Sequence, residues 1–216
     1  MSRTVAGIPI PDSTMARAAL AIVLAGEPDI LYRHSVRTFL FGALIAQYRK
    51  LAYDAELLYV VSLFRCIGLT APYHGSPRRF EVDSANAVNA FLAAYDVPRE
   101  DLADAWRAVA LHTTFGIHAD MPSHTALATL IAAGMEADLL CMHMDELTVA
   151  EREAVLLEFP RGPRFKEQII DTFAQGMAWR PATTFGTVNA DILERCDPNY
   201  RRRNFCGLIL GSNWKE

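Results

Sequence analysis

Apolar positions recur along most of the chain at three- and four-residue steps, the period of a helix with one buried face. Asp12-Ser13 supplies a cap for a helix over 14–25, which Gly26 ends, and Pro28-Asp29 opens a longer one through about residue 50. In that second helix Leu31, His34, Val36, Phe39, Leu40, Ala43, Leu44 and Gln47 share a stripe, so His34 is expected to point inward. A third helix over 54–67, capped by Asp54, is apolar on most sides through Leu57, Leu58, Val60, Val61, Leu63 and Phe64. A helix of that character belongs at a bundle centre. It ends at Gly68, and Thr70 to Val82, with Pro72, Gly75 and Pro77, reads as an ordered loop.

Asp83-Ser84 then begins a helix to about Ala94, Pro98 begins one ending near His112, and Ser123 caps one running to about Leu140. Shorter helices are expected over 148–158, 164–178, 187–195 and 199–209, parted by Pro160/Gly162/Pro163, by Pro181 to Gly186 and by Asp197-Pro198. No window shows several alternating strands, and no internal repeat is visible. The expected fold is all-α, a bundle of about eight to ten helices around the Leu57–Ile67 helix, and 216 residues are most simply one domain.

About half the residues are apolar and a fifth charged, an ordinary globular balance. A net charge of −4 gives no basic field of the kind that holds a phosphate backbone, which argues against nucleic acid as a partner. The one basic run, Arg201-Arg202-Arg203, reads as a solvated face or a set of local carboxylate partners. No signal-like start is visible and no uncharged run approaches the ~20 residues of a membrane span, so a cytoplasmic protein is expected. Cys66, Cys141, Cys196 and Cys206 form no C-x-x-C pair and are expected to be free thiols.

Among six histidines, His34 on its apolar stripe is either a hydrogen-bonded core residue or a functional one. His112 is more suggestive, because it closes an apolar helix where the chain turns into the Thr113-Thr114 to Gly116 loop, a place from which side chains reach a cavity. Asp138 stands in the apolar run Ile131 to Leu140. It either faces solvent beside Glu136 or faces the core, where it requires a cation, a metal or several donors.

The third helix ends Leu63-Phe64-Arg65-Cys66-Ile67-Gly68, and its frame resembles that of the HD metalloenzymes, with Arg65-Cys66 where that superfamily has His-Asp. His34-Ser35-Val36-Arg37 resembles the upstream histidine motif. Gly75 to Asp83 with Ala85-Asn86-Ala87, Ala110 to Ile117 with its His-Thr-Thr core, Thr183 to Gly186 and the Asn204 to Trp214 end resemble segments of the cyanamide-hydratase branch in the same order. The resemblance implies an all-helical fold and one divalent metal, zinc or iron, held by the upstream His, the His-Asp pair and a distal Asp. It further implies a metal-bound hydroxide that adds to a nitrile carbon or hydrolyses a similar small molecule. Carried over, His34 and Asp138 are the matching ligands, and His112 suits a place beside the metal or in proton transfer.

Arginine ligates no metal and repels one, so three arrangements stay open. Arg65 pairs with Asp138 in a fork and the site is metal-free. Alternatively, Cys66 as thiolate joins His34 and Asp138 around a metal while Arg65 swings away. In the third, Cys66, its pKa lowered by Arg65, is a nucleophile with His34 or His112 as base. Cys66 also reads as a small buried hydrophobe, and Glu81 and Asp83 as partners of Arg78 or Arg79. Two functions follow: a cyanamide-hydratase-like hydratase (a lyase) or hydrolase, or a lapsed relative that binds a small metabolite or a protein partner. An open cavity beside His112 and Cys66 favours the enzyme, and one filled by Arg65 and apolar side chains the lapsed relative. Whether copies assemble into a homo-oligomer is left open.

Overall fold

A computed structural model describes residues 3–117 and 126–214, and over these the chain is an all-α bundle of ten helices. They are α1 (Thr14–Gly26), α2 (Asp29–Arg49), α3 (Ala55–Phe64), α4 (Phe80–Ala93), α5 (Arg99–Ala110), α6 (Ala126–Leu140), α7 (Val149–Glu158), α8 (Phe165–Met177), α9 (Asn189–Cys196) and α10 (Phe205–Leu210). Among the described residues no helix is long and apolar enough to cross a membrane. The expected Ser123 cap of α6 lies outside the described residues.

Several helix starts have the capping chemistry the sequence shows. Ser13 accepts from the Ala16 amide, Asp54 from Leu57, and Thr148 with Glu151 closes a reciprocal capping box on α7. Three boundaries differ from expectation. The α-helix of α3 stops at Phe64, and the chain passes through Arg65 and Cys66 into a short 3₁₀ turn, Ile67–Leu69. The α4 helix begins at Phe80 instead of Asp83, with Glu81 and Asp83 in its first turn, where carboxylates suit the positive end of a helix. At the far end only 205–210 of the expected 199–209 is helical, because Asn204 caps the chain there by accepting from Gly207. A small hairpin, β1 (Thr4–Val5) with β2 (Ile8–Pro9), was not foreseen; two-residue strands are too short for alternation to register. Ala6 and Gly7 turn it with φ of 49° and 81°, the positive values a tight hairpin turn requires.

The centre of the bundle is shared by α2, α3 and α6. From His34 to Ala46 every residue of α2 is buried, and α3 is buried from Leu57 to Phe64. Two glycines set the closeness of α2 and α6. A Cβ at Gly134 would lie 2.1 Å from the Thr38 carbonyl oxygen, and one at Gly42 2.7 Å from that of Leu130. Side chains of ordinary size would force these helices apart. A second, smaller apolar cluster joins Leu31, Cys66, Leu69 and Phe80 to Phe165, Ile169, Phe173 and Met177 of α8 and Leu193 of α9. The candidate site lies where these two apolar regions meet.

Candidate functional site

The close approach of α2 and α6 brings the Asp138 carboxylate against α2, where it is buried and fully engaged. Arg37 grips it with two bonds, Nε to Oδ1 at 2.8 Å and Nη2 to Oδ2 at 2.9 Å. Arg161, from the Pro160–Pro163 loop, reaches the same Oδ1 from Nε at 3.2 Å and also binds the Asp138 carbonyl. His34 lies 2.6 Å from Oδ2 through Nδ1. Both guanidinium groups also lie over the Phe165 ring, 4.9 Å and 5.3 Å from its centroid. Burial alone would raise the Asp138 carboxyl, but the hydrogen bonds from His34 and Arg37 and the charge of Arg37 outweigh it and hold the group below the usual carboxylate range. An ionised carboxylate only accepts, so His34 donates from Nδ1–H and its Nε2 carries a lone pair.

This corrects the expected fork between Arg65 and Asp138: Arg37, three residues after His34 on the same helix face, occupies that role. Arg65 instead lies wholly buried at the end of α3. Its Nη2 donates to Thr38 Oγ1 over 3.3 Å, and neither Nε nor Nη1 has a partner. Among the described residues no carboxylate comes within ion-pair distance of it. Its charge is felt by Glu27, just past α1, which is also buried with both oxygens unpartnered. Burial pushes Glu27 up to about 8 against the pull of Arg65, so it is mostly uncharged at neutral pH.

Cys66 does not behave as the nucleophile reading expects. It is fully buried among Leu31, Leu69 and Phe80, and burial pushes its thiol up to about 12 despite the adjacent guanidinium. A thiol so placed stays protonated at neutral pH, neither a good nucleophile nor a thiolate ligand. The reading as a small buried hydrophobe describes it.

His112 follows α5 and is fixed by Nδ1, 2.6 Å from the Val109 carbonyl oxygen, so Nδ1–H donates and Nε2 again carries an unpartnered lone pair. Burial, then the charge of Arg65, lowers His34 to about 4 and His112 to about 3, so both imidazoles are neutral and weakly basic. Beside His112, Glu81 accepts from Thr113 at 2.5 Å, from Asn189 of α9 at 2.8 Å and from Arg79 at 3.1 Å. Burial opposes ionisation of Glu81, but the hydrogen bond and charge of Arg79 and the bond from Thr113 prevail and hold it low. Glu81 thus pairs with Arg79 as expected, whereas Asp83 pairs with Arg180 and accepts from Ser76.

Between α6, α8 and α9 a cavity of about 280 Å³ opens from the surface, with Arg65 and His112 in its wall. Among the described residues, Thr113, Asn189 and Lys166 are its other polar walls and the rest are apolar, chiefly Met135, Leu139, Phe165, Ile169, Phe173 and Ile192. Cys66 is not part of the wall. The cavity that would favour an enzyme was to open beside His112 and Cys66; the one found opens beside His112 and Arg65.

The other histidines serve different ends. His74 stacks on Trp179, and His143 bridges Glu136 and Glu146 at 2.8 Å and 3.0 Å, with Arg49 completing that clamp. His118 and His124 lie outside the described residues. Sequence reasoning missed Arg37, Arg161, Glu27 and Asn189. Arg37 had a visible signal, a charged residue at helical spacing from His34 amid buried positions; the others had none, since what surrounds them in the fold lies far along the chain.

As arranged, these side chains do not fit a divalent metal. His34 and His112 each offer one lone pair, but Asp138 has its oxygens committed to two guanidiniums and an imidazole, and Cys66 keeps its proton. A fixed positive charge stands among them, and zinc would require at least three protein ligands. Among the described residues no group of three His, Cys, Asp or Glu side chains is placed to hold an ion. No protein-family model matches this chain, and no curated protein matches it.

Proposed function

We propose that this protein binds a small molecule in the cavity walled by Arg65 and His112, without a metal, on a helical frame resembling that of the cyanamide-hydratase branch of the HD superfamily. In this reading Arg65 is the fixed cation where the related enzymes hold an ion. One observation carries it: a wholly buried guanidinium with two unpartnered nitrogens in the wall of an open, mainly apolar cavity. Evolution of a plain structural core would favour an apolar side chain there, since an unpaired buried charge is costly.

Hydration of a nitrile is the weaker reading. It needs a base that withdraws a proton from water near neutral pH, and imidazoles at about 4 and about 3 beside a thiol at about 12 are poorly matched to that task.

Two measurements test the proposal together. Urea release from cyanamide by the natural protein should not exceed that of the heat-denatured control. Thermal melting should shift upward with octanoate or octanol, and Ile169→Trp, which fills the cavity, should abolish that shift. Steady urea production lost in an Arg65→Met variant would restore the hydratase reading. Octanoate or octanol shifts unaffected by Ile169→Trp would place binding elsewhere.

A further inference from the structure

Among the described residues, the charges around the cavity do not balance. Arg37, Arg65, Arg79 and Arg161 stand against two ionised carboxylates, Asp138 and Glu81, each already bound by arginine. Three of those arginines have carboxylate partners; Arg65 has only the Thr38 hydroxyl at 3.3 Å. Lys166 adds a further positive group to the wall. The remaining lining is the apolar sleeve of Leu139, Phe165, Ile169, Phe173 and Ile192.

Resting on the metal-free pocket reading, we propose that the ligand is an amphipathic carboxylic acid, its carboxylate received by the Arg65 guanidinium and its hydrocarbon body lying between α6, α8 and α9. A guanidinium presents parallel N–H groups that match the two oxygens of a carboxylate, and the match is strongest in a dry site. A phosphate dianion demands several converging donors. Among the described residues, Arg65 is the one buried cation in the cavity wall, and the other polar walls are two neutral hydrogen-bonding side chains, the imidazole of His112 and Lys166. The His112 lone pair accepts from a water or from a hydroxyl carried by the ligand. The cavity is at the small end for organic ligands, which suits a medium-chain or single-ring acid.

Isothermal titration with octanoate, octanamide and octanol tests the class. The natural protein is expected to bind octanoate at least tenfold more tightly than either neutral probe, and Arg65→Met to bind all three alike. Removing a charge without a carboxylate partner leaves that variant folded, which far-ultraviolet circular dichroism verifies. Lys166→Met should retain most of the preference for the acid. Equal affinity for octanoate and octanamide in the natural protein would overturn the carboxylate assignment and leave the pocket reading standing. Loss of the preference in Lys166→Met but not in Arg65→Met would overturn it as well. Absence of binding by all three probes would defeat the pocket reading itself.

Discussion

Replacing Arg65 by methionine isolates the physical claim about this site, because the two side chains fill similar space and differ in charge. The guanidinium is wholly buried, has one long hydrogen bond and no carboxylate partner, and shares its surroundings with two neutral imidazoles. Little is lost on its removal: Thr38 Oγ1 gives up a 3.3 Å contact but still donates to the His34 carbonyl at 2.9 Å. What is gained is relief from an uncompensated charge. Replacement of buried ionic groups by apolar ones is neutral to stabilising by about 1–4 kcal/mol. A gain of about 2 kcal/mol corresponds to roughly 4–8 °C in melting temperature for a chain of this size. The assay is urea denaturation with thermal melting, paired with an NMR titration of the imidazoles. His34 and His112 should rise from about 4 and about 3, yet stay below the ordinary 6.5, since burial is the larger cause of their depression. Destabilisation by more than about 1 kcal/mol, with both imidazoles unmoved, would refute the reasoning by showing that Arg65 is stably paired.

Stability should peak near pH 6.5. The unfolded chain protonates His34 and His112 below their ordinary 6.5 while the folded chain resists, so both contribute stability that is lost as pH falls below that value. Glu27 acts oppositely: the fold retains its proton to about 8 whereas the unfolded chain releases it near 4.5, so stability falls as pH rises between them. Two histidines outweigh one glutamate below 6.5, and Glu27 acts alone above it. Urea midpoints at pH 5, 6.5 and 8 check this, and Glu27→Gln should remove the alkaline decline; a midpoint still rising to pH 8 would mean that Glu27 is ionised and paired with Arg65. Asp138→Asn should cost about 3 kcal/mol or more, because it leaves the fully buried Arg37 uncompensated, and Arg37→Met in the same chain should recover part of the loss. A cost below about 1 kcal/mol in denaturant melts would contradict the ion-pair description. A thiol reagent should label the exposed Cys141 and Cys206 rapidly and Cys66 only after denaturation, followed by peptide mass mapping; fast native labelling of Cys66 would contradict its burial and raised pKa.

The burial of α2 and α3 was legible because helical periodicity reports which face avoids water, and the inward turn of His34 follows from the same stripe. Arg37 lies three residues from His34, at helical spacing, but a charged side chain is usually read as solvated, and only the fold shows Asp138 across from it. For Asp138 the sequence left solvent and core equally open, and the close α2–α6 approach through Gly42 and Gly134 places it in the core. The end of α3 was placed too late because Ile67 continues the apolar pattern, whereas Gly68 packs too close to the Phe80 carbonyl for a Cβ and draws the chain into a 3₁₀ turn. Arg161 and Glu27 owe their roles to loops and helix ends brought in from afar, and local spacing carries no record of such contacts.

The central claim is that a guanidinium serves where a metal would, and elemental analysis tests it most directly. The protein should be purified without chelator and without a metal-binding tag, then measured for zinc and iron per chain. Far less than one ion per chain is predicted, unchanged in His34→Ala. About one zinc or iron per chain, lost in His34→Ala, would contradict it.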